Sequence, residues 1–127
     1  MRDVVFSAVR PLILGDGRSA REAAWRFFAS YGVRSTVMDK KCSLGSLFCP
    51  FLSFRRLPPT DSDEFVLMSL ELFAEKNSDM TVILIPTGDL YRGFAERNLS
   101  ALESRFIIRS ADTVCNVTPS QKYKVKD

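Results

Sequence analysis

The sequence predicts an α/β domain in which a mainly parallel sheet of four or five strands carries helices on both faces. Three observations support this prediction. A short apolar stretch stops at a glycine turn and a helix begins at once, over residues 12–22. A β-branched stretch follows that helix and completes a β-α-β unit. A third stretch, Thr81–Ile85, is apolar on both faces, as the central strands of parallel sheets are.

The first half of the chain supplies two strands and the helix between them. Arg10–Leu14 is a short apolar run ended by glycine, which predicts a buried strand. Ser19 and Glu22 have the spacing of a capping box, so we expect the helix to begin there and to end at Gly32. Residues 33–38 are rich in β-branched side chains and predict the second strand.

The middle of the chain has a weaker pattern. Residues 40–50 mix apolar side chains with glycine and serine, which predicts a loop or a short turn of helix. Residues 51–54 predict a short strand at a sheet edge. Pro58 and Pro59 close this segment and prevent the next helix from starting earlier.

The second half repeats the alternation of helix and strand. Asp61 and Glu64 repeat the capping spacing before a helix with a wide apolar face that ends near Asn77. The strand after it stops at Pro86, and we expect Asp89 to cap the next helix.

The end of the predicted domain lies near residue 110. Ser100 and Glu103 predict one more short turn, and residues 106–108 predict a last strand. The pattern then fades, so residues 1–110 are expected to form the domain and residues 111–127 a tail or the start of a linker.

Composition narrows the function classes. The chain has 127 residues, 46% hydrophobic and 26% charged, which suits one globular domain with a real core. A net charge of +3 with scattered basic residues does not favour nucleic acid as a partner. The chain has no histidine, which excludes a serine–histidine or cysteine–histidine relay and histidine-ligated zinc within it.

Cysteine usage and hydropathy favour a cytoplasmic protein that does not enter a membrane. Cys42, Cys49 and Cys115 are odd in number and lack the C-x-x-C spacing, which favours reduced thiols. Cys42 and Cys49 are candidates for a redox pair, but no basic neighbours mark either as reactive. The start of the chain does not resemble a signal peptide, and no apolar run approaches the ~20 residues that span a bilayer.

A candidate ligand site lies where the chain is expected to change direction in the sheet. If the strands that begin near Arg10 and Thr81 lie side by side, their carboxyl ends flank a crevice. The turns after these strands then form its two sides. The candidate substrate-binding residues are therefore Gly15, Asp16, Gly17, Thr87, Gly88 and Asp89.

A dinucleotide site is the alternative at the same place. Residues 15–20 fit the G-x-G-x-x-A fingerprint, and Asp39 follows at about the distance at which an acidic residue meets a ribose. A Glu22 carboxylate in a capping box would occupy the donors that a phosphate needs and would repel the anion. The alternative interpretation is therefore a tight turn that binds no nucleotide. In that case Asp39 is an ordinary polar residue at the end of a strand.

Two segments resemble the preATP-grasp domain, which stands at the N-terminus of ATP-grasp carboxylate–amine ligases. Pro11–Gly15 and Ala20–Ser35 resemble the opening of that domain, and Ile83–Tyr91, followed by Asn98 and Leu102–Phe106, is similar to its second half. The resemblance covers residues 8–110. Beyond Ser110 the sequence departs from the family, in which a lysine-bearing helix leads into the ATP-binding part.

The resemblance implies a Rossmann-like domain of a larger enzyme. Such ligases use ATP and Mg²⁺ to activate a carboxylate as an acyl phosphate and then couple it to an amine. Their ATP and metal ligands lie in later domains, so the resemblance implies no catalytic, cofactor or metal residue in this chain. It implies that the six candidate residues face the small-molecule carboxylate or amine, and that the ATP-grasp domains of the same polypeptide are the partner.

A third hypothesis is an interaction domain. Phe48, Phe51 and Phe54 are expected either in the core or at an interface, on a surface that a further domain of the enzyme, a protein partner or a second copy of the chain in a homodimer would bury.

Overall fold

Five parallel strands form one sheet in a computed structural model that describes residues 9–59 and 62–110. The strands are β1 (Val9–Leu14), β2 (Ser35–Asp39), β3 (Leu52–Arg56), β4 (Thr81–Pro86) and β5 (Ile107–Ile108). The helices are α1 (Arg18–Tyr31), α2 (Leu44–Leu47), α3 (Asp63–Lys76), α4 (Gly88–Arg97) and α5 (Leu99–Glu103). The spatial order is β3-β2-β1-β4-β5, and every neighbouring pair is parallel.

The alternation of side chains in β1 divides the core into two layers. Leu12 and Leu14 point to the face that carries α3, α4 and α5, whereas Ile13 points to the face covered by α1. All three are fully buried. The predicted three-layer α/β fold with helices on both faces is therefore confirmed.

Helix α1 fits closely because its inner face is built from small residues. Ala20, Ala23 and Ala24 are fully buried, and Phe27 fills the space beyond them. The helix ends at Gly32, as predicted, with the glycine amide bonded to the carbonyl of the preceding turn.

The predicted capping box is wrong. Helix α1 begins at Arg18 with Gly17 as its N-cap residue, so Ser19 already lies in the first turn. Glu22 instead forms an exposed ion pair with Arg18 at 3.4 Å, one turn earlier on the same helix. The positive φ of Gly17, +142°, lets the chain enter the helix before Ser19 is reached.

The other helix starts also differ from the predictions. Thr87 is the N-cap residue of α4, so Asp89 lies in its first turn and does not cap it. Asn98 precedes α5, which leaves Ser100 within that helix. Ser62 is the N-cap residue of α3, and Asp61 lies outside the described residues. Thr87 and Asn98 therefore lie two positions before the predicted caps Asp89 and Ser100, whereas Ser62 lies one position after Asp61.

The less regular regions agree with the sequence pattern. The stretch of residues 40–50 contains the one-turn helix α2, and β3 lies at the edge of the sheet. The predicted tail, residues 111–127, lies outside the described residues and so does Cys115.

Candidate substrate cleft

The cleft lies where the strand order reverses. β1 and β4 are neighbours, and the chain leaves them toward opposite faces of the sheet, which opens a crevice at their carboxyl ends. The cleft has a volume of 340 Å³. All six predicted residues line it, and they are joined by Asp39, Tyr91 and the first residues of α1.

Close contact between the two turns fixes one end of the cleft. The Thr87 amide donates to the Leu14 carbonyl at 2.8 Å, and its buried hydroxyl is shared between the carbonyls of Leu14 and Gly15, at 3.1 and 3.2 Å. A Cβ atom at Gly15 would lie 2.5 Å from the Thr87 hydroxyl oxygen and 2.9 Å from the Thr87 carbonyl. Thr87 is therefore a structural residue of the cleft, and only glycine fits opposite it.

The second glycine of the turn borders open space. A Cβ atom at Gly17 would meet no atom within 4 Å among the described residues. No side chain in the described ranges caps α1, so the backbone amides of its first turn face the cleft without a built-in acceptor. Gly17 thus allows a bound molecule to approach the backbone closely.

Asp16 lines the cleft, but its carboxylate is engaged by the chain. It accepts hydrogen bonds from the amides of Gly17 at 2.8 Å and Ser43 at 2.5 Å, and from the Ser46 hydroxyl. The Arg21 guanidinium donates to the Ser43 hydroxyl at 3.1 Å from the other side. Asp16 therefore holds the α2 segment against the glycine turn.

These bonds change the acidity of Asp16. Partial burial acts to raise the pKa of the Asp16 carboxyl, but the hydrogen bonds from Ser46, Ser43 and Gly17 together outweigh it, and the pKa is lowered.

Asp39 is the centre of a second network. One carboxylate oxygen accepts from the Asp16 amide at 2.7 Å. The other accepts from the Tyr91 hydroxyl at 2.7 Å and from the Lys40 amide at 2.6 Å. The Asp39 carboxylate thus connects the ends of three elements, β1, β2 and α4.

Tyr91 was not among the predicted site residues. Burial raises the pKa of its hydroxyl above the usual value, and the bond to Asp39 raises it further, so the hydroxyl stays a donor at neutral pH. The sequence did contain a signal. Tyr91 lies one helical turn after Thr87 and shares the buried face of α4 with Phe94 and Ala95.

Two of the predicted residues are exposed on the α4 side. Gly88 and Asp89 occupy the first turn of α4 and are open to solvent. The cleft therefore combines backbone amides from two helix starts with an exposed carboxylate. Such a mixture offers acceptor sites for an ammonium group and donor sites for a carboxylate.

Other candidate chemistry is limited in the described part of the chain. Cys42 and Cys49 carry free thiols. Partial desolvation and the Asp16 charge raise the pKa of the Cys42 thiol. A reactive cysteine needs a lowered pKa, so these contacts do not activate Cys42 as a nucleophile. Among residues 9–59 and 62–110 no three cysteine, aspartate or glutamate side chains are grouped to hold a metal ion. No helix in these ranges combines the length and apolar character that crossing a bilayer requires.

Comparison with known proteins gave no match to a family model, to a curated protein or to a solved structure.

Proposed function

We propose that this chain is the N-terminal, substrate-side domain of an ATP-dependent carboxylate–amine ligase and has no catalytic activity of its own. One observation supports this most strongly. The two turns to which the resemblance assigns the substrate stand 72 residues apart in the sequence, counted from Gly15 to Thr87, yet line a single cleft. The strand order of the sheet fits the Rossmann-like domain that the resemblance implies.

The groups in the cleft suit the two substrates of such a ligase. Backbone amides at the starts of α1 and α4 carry partial positive charge and can receive a carboxylate. Asp89 can receive an amine. The chain has no P-loop lysine motif, so under this proposal ATP and Mg²⁺ belong to the ATP-grasp domains that follow.

The test uses the polypeptide encoded by the complete transcript. We expect release of ADP that depends on both a carboxylate and an amine. Asp89→Asn should raise the KM of one of these substrates and leave the KM of ATP unchanged. Arg92→Gln, an exposed change on the same helix outside the cleft, is the matched control and should alter neither. ADP release that ignores every acid and amine would contradict the proposal, as would an effect of Asp89→Asn on ATP alone.

A dinucleotide-binding domain is the second candidate, and the geometry of the first turn favours it. Gly17 leaves room for a pyrophosphate, Ala20 is fully buried as close helix packing requires, and Glu22 does not cap the helix. The engagement of Asp39 argues against it. Both of its carboxylate oxygens accept bonds from the chain, so a ribose would have to displace them.

Thermal unfolding separates the two candidates. Under the ligase proposal, millimolar NAD or NADP leaves the melting temperature unchanged. A rise in melting temperature that disappears in Gly17→Val would favour the dinucleotide candidate. The melting temperature of Gly17→Val without cofactor is the control, because a side chain strains the backbone at this positive φ.

A further inference from the structure

A second pocket adjoins the cleft between α3 and α4. It has a volume of 150 Å³. Val66 and Phe94, both buried, form its floor, and Leu90 and Tyr91 form the wall toward the cleft. Its surface is mostly apolar.

The cleft and the pocket share a wall. Leu90 and Tyr91 line both of them, and Asp39 in the cleft is followed directly by Lys40 at the pocket rim. The Tyr91 ring is fixed by its bond to Asp39, while the Leu90 side chain is 65% exposed above the junction. A molecule that lies in the cleft therefore reaches the pocket by passing over Leu90.

The charged residues at the far rim satisfy each other. Arg97 donates two hydrogen bonds to Asp63, at 2.9 and 3.0 Å, and the Asn98 amide donates to the same carboxylate at 3.0 Å. This paired geometry closes the pocket without presenting an unpaired ion at that end. The far end of the pocket is thus suited to an apolar group rather than to a charged one.

We propose that this pocket receives an apolar group of the small-molecule substrate, of about the size of a benzene ring or a leucine side chain, while the polar end lies in the cleft. An apolar cavity of about 150 Å³ is large enough to bind benzene. The inference rests on the proposed function, since it concerns the same substrate. It narrows the substrate to a carboxylic acid or an amine with a compact apolar substituent.

The experiment is an NMR titration of the full chain, observed at backbone amides and methyl groups. The probes are phenylacetate and benzylamine, and acetate and methylamine are their counterparts without a ring. The cleft should bind either the two carboxylates or the two amines. Both probes of that kind, with and without a ring, should shift the amide signals of Gly17 or Gly88. Only the probe with a ring should also shift the methyl signals of Val66 and Leu90. Whichever ring probe does so identifies the polar end as acid or amine.

Two variants and one matched control make the result specific. Val66→Phe fills the pocket and should weaken binding of the ring probe at least about tenfold, with the small probe unaffected. Met68→Phe, on the exposed side of the same helix, is the matched control and should change neither. Leu90→Ser changes an exposed side chain that lines both the pocket and the cleft, should leave the fold intact, and should weaken binding of the ring probe more than binding of the small probe.

The outcomes separate this inference from the proposed function. If the small probes shift the cleft amides and the ring probes add no shift at Val66 or Leu90, the inference is wrong and the proposed function stands. Shifts at the pocket without shifts in the cleft would equally overturn it. If no acid or amine perturbs the cleft at tens of millimolar, both proposals fail.

Discussion

Tyr91 donates its hydroxyl to the Asp39 carboxylate at 2.7 Å and thereby ties helix α4 to the end of strand β2. β1 lies between β2 and β4 in the sheet, so this bond reaches across the mouth of the cleft. The same carboxylate accepts from the Asp16 amide in the glycine turn. One aspartate therefore sets the relative positions of both walls.

Removal of the Tyr91 hydroxyl should lower the stability of the domain. In Tyr91→Phe the ring remains packed, but a charge-assisted hydrogen bond is lost, so we expect the free energy of unfolding to fall by about 1–3 kcal/mol. Urea unfolding measures this change. A double-mutant cycle with Asp39→Ala, which removes the acceptor, isolates the bond. Strictly additive effects of the two substitutions would show that Tyr91 and Asp39 do not interact.

The lowered pKa of Asp16 predicts an acid-dependent loss of stability. Since the folded pKa lies below the unfolded value of about 3.9, the contribution is fully present well above pH 4 and is lost as pH falls through the folded pKa. The stability difference between the wild type and Asp16→Asn should therefore shrink on acidification below about pH 4.

Ser46→Ala tests the origin of this effect. It removes the side-chain bond that lowers the Asp16 pKa most, so the pH dependence of unfolding should become weaker. A stability difference for Asp16→Asn that stays constant from neutral to acidic pH would contradict the assignment.

The isolated chain should neither bind MgATP tightly nor hydrolyse it. The sequence has no P-loop lysine, and the described residues hold no acidic group of the kind that binds Mg²⁺ with a nucleotide. Calorimetry with MgATP should give no strong heat. A micromolar dissociation constant would contradict the ligase proposal in its present form.

The two central strands could be predicted from the sequence because each carries its own apolar signal. β1 and β4 are continuous apolar runs that end in glycine or proline turns, and their pairing at the centre follows from the topology of α/β folds. The predicted pairing of these two strands was enough to place the six candidate residues in one cleft.

The helix starts and the internal bonds of the cleft could not be predicted in the same way. Ser19 and Glu22 have capping-box spacing, but the permissive backbone of Gly17 starts the helix earlier. The networks of Asp16 and Asp39 join residues more than 20 positions apart, so no local pattern reports them. Sequence spacing therefore located the cleft but not the side chains that hold it together.

The α2 region should support self-association of the isolated chain as a two-fold dimer. Phe48 is 78% exposed, and Leu44 and Leu47 are exposed beside it, next to the open edge strand β3. Sedimentation should show concentration-dependent dimers. Phe51→Glu should shift the chain toward monomer with its helical signal retained.

Two further substitutions locate the contact. Phe51 packs partly against Trp25 and Phe28, with ring centroids 5.4 and 6.0 Å apart, so Phe48→Glu is the cleaner change and should have the same effect. Leu72→Glu, on the exposed side of helix α3 and across the sheet from α2, is the matched control and should leave the dimer intact. A wild type that stays monomeric at high concentration would exclude this surface as a contact between copies.

The contact between Gly15 and Thr87 has a consequence for how the cleft accommodates a ligand. Backbone touches backbone there, and the turns cannot be pressed closer together because a hydroxyl and a carbonyl already fill the gap. Closure of the two turns onto a ligand is therefore blocked at this end of the cleft. Adjustment to molecules of different shape falls to the exposed Leu90 side chain on the α4 side of the cleft.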